Sequence, residues 1–289
     1  ERKGSRCFFR TSRCSSQGLG IMPLSVLSPA KTLDETVICD VKLTEAPLAS
    51  ERKKLLAVCS KLSQADLKKL MSLSDSLAKL NYTRFQKFDK QERKAACWAF
   101  DGPAHKALDI ASLTAGQRKY AQNTIVTLSG LYGCLRPQDA IQPYRLEMGC
   151  KLQTDRGKTL YDFWGGRVAE ELGRRLKKMP AAQRFVVNVA SQEYWQVLAK
   201  HADSLGAQIY TINFPGPSVF AKEARGLFCR FMCQRGVTAP KQLRDFAEWT
   251  VQQGGAVYKL TGQTETTLTF ARTGSAAPAA GAKKRKRGD

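Results

Sequence analysis

Five basic side chains, Lys31, Arg136, Arg145, Lys222 and Arg225, stand beside strand ends, helix starts or glycine-rich turns. Tyr144, Ser28, Glu147, Asn188, Ser191 and Glu193 lie in the same stretches. Such a mixture can hold a phosphate, and its carboxylates and hydroxyls can also move protons. Blander accounts exist. Ser191 closes a strand, and Glu193 falls in the first turn of the next helix, where a carboxylate is favoured anyway. Lys222 and Arg225 share one helix face at a spacing of three. They read equally as a solvated face or a phosphate-facing pair, and less readily as part of an enzyme site. No nucleophile–base–orienter set is present, so no catalytic residue is assigned and a non-catalytic protein is favoured.

The segment "LSGLYGCLRPQDAIQPYRLEMG", Leu128 to Gly149, has three glycines and two prolines. Each glycine inside a helix costs roughly 1 kcal/mol against alanine. Proline is excluded from central strands. Gly130 and Gly133 are three apart, with Leu128, Leu131 and Leu135 as apolar anchors. Taken as a turn between two helices, this pattern is that of a helix-hairpin-helix. Its bare backbone N–H groups would face a phosphate, as they do at helix N-termini. Arg136 follows at once. Binding of that kind needs no base contacts and is largely independent of DNA sequence. An ordinary turn packed on a neighbouring helix is the other reading.

Composition points the same way. The chain has 289 residues and a formal charge of +22, from 47 Lys and Arg against 25 Asp and Glu. Setting aside the first 22 and last seven residues leaves about +14 on the body. A body this basic has a polyanion as its natural partner. Nothing approaches eighteen consecutive apolar residues, so no membrane-spanning helix is expected. The nine cysteines form no CxxC pair, and only His105 and His201 exist as imidazole ligands. Zinc spacing is therefore missing, and neither a metal site nor a cofactor is expected. The cysteines read as small core residues, with a peroxide-reactive thiol as a minor alternative.

These residues need elements to position them. "LSVLSPAKT" is a short strand that stops at Pro29, leaving Lys31 in the following loop. Residues 50–88 have helical periodicity, with Ser63 and Asp66 as a cap and acidic first turn. Further helices are expected over 92–100, 114–123, 160–178 and 220–234, and another starting near Ser191. "RFVVNVAS" and "AQIYTINF" read as strands, and "AVYKLTG" with "TTLTFAR" as a closing hairpin. The fold class is α+β: a single mixed domain of unusual topology, residues 21–272. Residues 1–20 are Arg- and Ser-rich like an organelle targeting segment. Residues 273–289 end in a basic run like a nuclear-localisation patch. Both are expected to be disordered.

The glycine-rich segment resembles the signature of the YaaA (DUF328, UPF0246) family of peroxide stress resistance proteins. "LSPAKT", "LYDFWG", "NVASQEYW", "AKEARG" and the closing hairpin agree in order, over residues 24–272. The resemblance implies a helix-hairpin-helix in a positively charged cleft. It also implies duplex DNA binding, protection from peroxide by restraining free iron, and a cytoplasmic location, with which both ends conflict. A monomer is favoured. The expected DNA-facing residues are Gly130, Leu131, Tyr132, Gly133, Arg136, Lys31, Tyr144, Arg145, Lys222 and Arg225. An accompanying pocket would comprise Ser28, Glu147, Asn188, Ser191 and Glu193. The alternative is an enzyme acting on a small phosphorylated or nucleotide-like substrate in the same cleft. Two departures stand out: "PGPS" replaces a longer β-hairpin between Phe214 and Phe220, and Gln138 replaces an apolar residue.

Overall fold

The structure is a computed structural model that describes residues 22–36 and 41–276. The expected targeting-like segment 1–20 and all of the basic tail beyond Ala276 lie outside the described residues.

β1 (Leu24–Leu27) is the organising strand. It pairs in parallel with β3 (Ile125–Ser129) on one edge and β6 (Phe185–Asn188) on the other. Between β1 and β3 come α1 (Ala49–Cys59), α2 (Gln64–Met71) and α3 (Asp75–Gln86). They are followed by β2 (Lys94–Ala95), α4 (Ala96–Ala99), α5 (Pro103–Leu108) and α6 (Ala115–Thr124). β4 (Gly133–Leu135) turns back antiparallel on β3, and β5 (Ala140–Ile141) pairs with β2 in a small separate sheet. α7 (Leu160–Trp164) and α8 (Arg167–Leu176) lead to β6. α9 (Gln192–Ala199), β7 (Gln208–Asn213), α10 (Ser218–Arg235) and α11 (Phe246–Gln253) follow, then the hairpin of β8 (Gly255–Gln263) and β9 (Thr267–Ala276). The main sheet has the order β4-β3-β1-β6-β7-β9-β8, with both parallel and antiparallel pairs.

The central strands bury both faces, as parallel strands between helical layers do. Val26, Val126 and Val186 point into one core, covered by helices that include α1, α2, α7, α8 and α9. Leu27, Ile125 and Val187 point into the other, beneath α10 and α11. In that second core Phe214, Phe228 and Phe270 surround Phe246. Fully burying each such side chain contributes roughly 1.5–3 kcal/mol.

Most expected elements are present. Ser63 caps α2 through a reciprocal pair with Asp66, and Thr114 caps α6 the same way with Gln117. The helix expected over 92–100 is a two-residue strand and a single helical turn, because Lys94 and Ala95 pair with β5. The helix expected over 160–178 is broken after Trp164, where Gly165 takes φ +48°. β9 continues four residues past Arg272, where the sequence reading ends the domain.

The largest correction concerns Leu128–Leu135. It is a β-hairpin, with Thr127, Leu128 and Ser129 opposite Leu135, Cys134 and Gly133, and not a turn between two helices. The segment satisfies itself internally: Ser129 Oγ accepts the Tyr132 N–H at 2.9 Å, and Trp164 Nε1 donates to the Gly130 carbonyl at 3.0 Å. A Cβ on Gly130 would lie 2.3 Å from the Leu146 carbonyl oxygen. Gly133 has φ +72°, and a Cβ there would lie 2.8 Å from the Trp164 ring. The glycines are needed because neighbouring chain passes too close for a side chain. Gly130→Ala and Gly133→Val are expected to destabilise the fold by about 1–3 kcal/mol or more through overpacking, read as a lower denaturant midpoint. Unchanged midpoints would contradict this packing.

Candidate functional site

β1 sends its connection to β3 on one side, whereas β6 sends its connection to β7 on the other. Open α/β sheets bind ligands in the crevice at the carboxyl ends of strands where the order reverses in this way. Here the crevice lies beyond Leu27 and Asn188. A cavity of about 250 Å³ occupies it. The loop after β1 supplies Ser28 and Lys31, the start of α9 supplies Glu193 and Tyr194, α5 supplies His105, and α10 supplies Lys222 and Arg225.

Two serines hold the floor. The Ser28 hydroxyl donates to Ser191 Oγ at 3.1 Å and accepts the Ser191 N–H at 2.8 Å. This clamps the loop after β1 to the cap of α9. Lys31 Nζ lies 2.9 Å from Glu147 Oε2, and Arg145 bonds the other carboxylate oxygen at 2.9 and 3.2 Å. Burial alone would raise the Glu147 carboxyl. Lys31 and Arg145 outweigh it and hold the group below the ordinary carboxylate range. Glu193 Oε1 accepts the Gly149 N–H at 3.1 Å. Lys222 and Arg225 make no hydrogen bond or ion pair among the described residues. Lys222 is exposed; Arg225 is half-buried and lines both this cavity and the neighbouring one that contains Asn188 and Phe214.

His105 belongs to this site but lay outside the expected set. Its Nε2 lies 3.2 Å from the Ser28 carbonyl oxygen, and its Nδ1 is buried without a partner. Burial pushes its pKa down to about 4, so it is neutral near pH 7. The available signal was Pro103, which marks the first position of α5 two residues earlier.

The structure gathers Lys31, Lys222 and Arg225 with Ser28, Ser191 and Glu193 around this crevice, and Glu147 with Arg145 attaches behind Lys31. It separates the rest. Gly130, Leu131, Tyr132 and Gly133 are buried in the β-hairpin, so their backbone presents nothing to a phosphate. Tyr144 is 5% exposed, and its hydroxyl lies 2.5 Å from Ser129 Oγ. Asn188 is buried, and its side-chain oxygen accepts the Ala190 N–H at 3.0 Å. Arg136 is at the other end of the sheet, in a cavity with Leu24, the first residue of β1. Its guanidinium clasps fully buried Asp139 at 2.7 and 3.0 Å. Asp139 also accepts the Thr44 hydroxyl and the Arg136 N–H, each at 2.7 Å. Five basic residues therefore do not share one cleft: Lys31, Lys222 and Arg225 line it, and Arg145 joins it only through the Glu147 carboxylate that it shares with Lys31.

Cys59, Cys97, Cys134, Cys150, Cys229 and Cys233 are buried and unpaired. Burial raises the thiols of Cys59, Cys97, Cys134 and Cys229 to about 12 and that of Cys150 to about 11. Little thiolate, the form that attacks peroxide, exists there. Among the described residues no group of three or more His, Cys, Asp or Glu is placed to hold a metal, and no helix is long and apolar enough to cross a membrane.

A mixed sheet between two helical layers, with a polar crevice at the point of strand reversal, defines a mixed α/β protein. The comparisons give the family. Residues 24–252 match the family model described as "Peroxide stress protein YaaA". A UPF0246 protein of Pseudoalteromonas translucida is 42% identical over 236 residues, covering 77% of this chain and 90% of that protein. One from Polynucleobacter asymbioticus is 44% identical over 234 residues, with the same coverage. One from Dinoroseobacter shibae is 41% identical over 268 residues, covering 89% and 98%. The chain belongs to the YaaA peroxide stress (UPF0246) family.

Two outcomes follow from these contacts. Arg136→Ala leaves a buried carboxylate unpaired and is expected to cost about 3–5 kcal/mol, measured by chemical denaturation, without altering the crevice. For His105 the folded pKa lies below the unfolded value of about 6.5. Its contribution is therefore complete above pH 6.5 and is lost as pH falls toward 4. Thermal melts of the parent should lose stability over that window, and His105→Phe should flatten that part of the profile. An identical slope in both proteins would place the acid sensitivity elsewhere.

Proposed function

We propose that this chain acts in peroxide stress by holding the phosphates of duplex DNA, largely without regard to sequence. That binding contributes to protection by limiting free iron, the role the family resemblance implies. The observation that supports phosphate binding most is Arg225. It is a half-buried guanidinium at the mouth of the crevice, and among the described residues neither it nor Lys222, one turn away on the same helix, has a counter-ion. Removing a cation from water without pairing it is costly. An anion arriving from outside would offset that cost. The charge of +22 on the whole chain favours a polyanion as its source. With the glycine hairpin buried, the grip falls to these side chains and not to bare backbone.

A second reading is an enzyme acting on a small phosphorylated or nucleotide-like substrate in the same crevice. Its position at the strand reversal favours it, as does its volume of about 250 Å³, which suits a small group and does not admit a duplex.

Titration of the full chain with duplex DNA at several salt concentrations tests the first reading. Log affinity should fall linearly with log salt, with a slope near −0.9 for each phosphate contacted. Arg225→Glu should weaken binding several-fold at low salt and less at high salt, where screening already removes the attraction. Salt-independent affinity, or none, would refute the DNA reading. Unchanged duplex binding by Arg225→Glu, with loss of inorganic phosphate binding, would support the second reading instead.

A further inference from the structure

The cavity at the opposite end of the sheet has a volume of about 490 Å³, within the range of small-molecule sites. Met22, Leu24, Pro47 and Met179 give it an apolar side. Arg136, Arg174, Arg175 and Lys178 give it a basic one. Two of these cations are already neutralised. Arg136 is held by Asp139, and Arg174 makes two hydrogen bonds to Glu171 at 2.7 and 2.9 Å. Glu45, also on the wall, is engaged by Arg93.

Among the described residues Arg175 has no such partner. It is half-buried, and it donates a hydrogen bond to the Asn123 carbonyl at 3.0 Å. The charged and titratable groups around it are Cys134, Arg136, Glu171 and Asp139. Cys134 is a neutral thiol, its pKa raised to about 12 by burial. Arg136 repels Arg175, and both carboxylates are committed to other arginines. Desolvation accordingly pulls the Arg175 guanidinium below its ordinary range. Lys178 lies three residues further along the chain, exposed, with no partner among the described residues. A half-buried guanidinium and an exposed ammonium thus line a cavity whose other wall is apolar.

We propose that this cavity binds a small phosphorylated molecule of nucleotide size, its phosphate between Arg175 and Lys178 and its less polar body against Met22, Leu24 and Met179. Fixed donors on one side and apolar surface on the other suit a phosphate ester better than a bare ion. The site is independent of the crevice, because Leu24 and Leu27, at opposite ends of β1, line the two cavities separately.

Calorimetric titration of the full chain with adenosine 5′-monophosphate and, separately, inorganic phosphate tests the proposal. Saturable binding of the nucleotide is expected, tighter than that of phosphate. Arg175→Gln should weaken it by roughly 10-fold or more, the usual scale for hydrogen bonds to charged groups. Lys178→Glu, an exposed change that leaves the core untouched, should weaken it comparably. Arg225→Glu should leave this binding unchanged while affecting the crevice. Three results would each overturn the assignment: no saturable nucleotide binding, loss by Arg225→Glu but not by Lys178→Glu, or displacement of the nucleotide by duplex DNA. None of the three depends on whether the crevice itself binds DNA.

Discussion

The parallel pairing of β1 with β3 and β6 is the constraint on which the rest depends. A four-residue strand with a parallel partner on each edge has its ladder groups satisfied along both sides. Such a strand can lie at the centre of the molecule, with Val26 in one core and Leu27 in the other. The chain must then leave β1 at Pro29 and return from both directions, because β3 and β6 lie on opposite edges. The crevice beyond Leu27 follows from that divergence. Lys31 and Ser28 reach it because they are the next residues out of the strand.

Charge in this protein divides into a structural part and an uncommitted part. Arg136 with Asp139, Arg174 with Glu171 and Arg145 with Glu147 are closed pairs or clusters, and each orients chain around it. Buried Asp139 shows the difference most clearly: it joins Arg136, Thr44 and the backbone after β4 into one knot. Lys222, Arg225, Arg175 and Lys178 lack carboxylate partners among the described residues, and they divide between the two ends of β1. Net charge alone could not distinguish the two groups, since both count equally toward +22.

The glycine-rich segment shows how one pattern can have two physical causes. Bare backbone serves a phosphate that approaches from solvent, and it equally serves a neighbouring segment that passes close inside the fold. Gly130 lies against the Leu146 carbonyl and Gly133 against Trp164, so the second cause applies. The same packing explains why Tyr132 and Tyr144 are buried edge to face, their rings 5.3 Å apart, instead of facing a ligand.

Local chemistry determined much of this protein from sequence alone. Capping at Ser63 and Thr114, the stop of β1 before Pro29, the β-branched run of β6 and the closing hairpin depend on residues within a few positions of one another. The family blocks likewise marked Lys31, Ser191, Glu193, Lys222 and Arg225, which the structure brings together. Only the tertiary structure decided that Leu128–Leu135 is a β-hairpin, because its partners, Leu48, Leu146 and Trp164, lie outside it along the chain, Leu48 being 85 residues before Gly133. It alone placed Arg136 at the opposite end from Lys31, since a buried carboxylate at Asp139 captures the guanidinium where the two meet. It alone brought His105 into the crevice, through a carbonyl 77 residues earlier in the chain. Spacing along a chain reports helix faces and turns; which side chains share a cavity depends on the strand order, and that order is a property of the whole sheet.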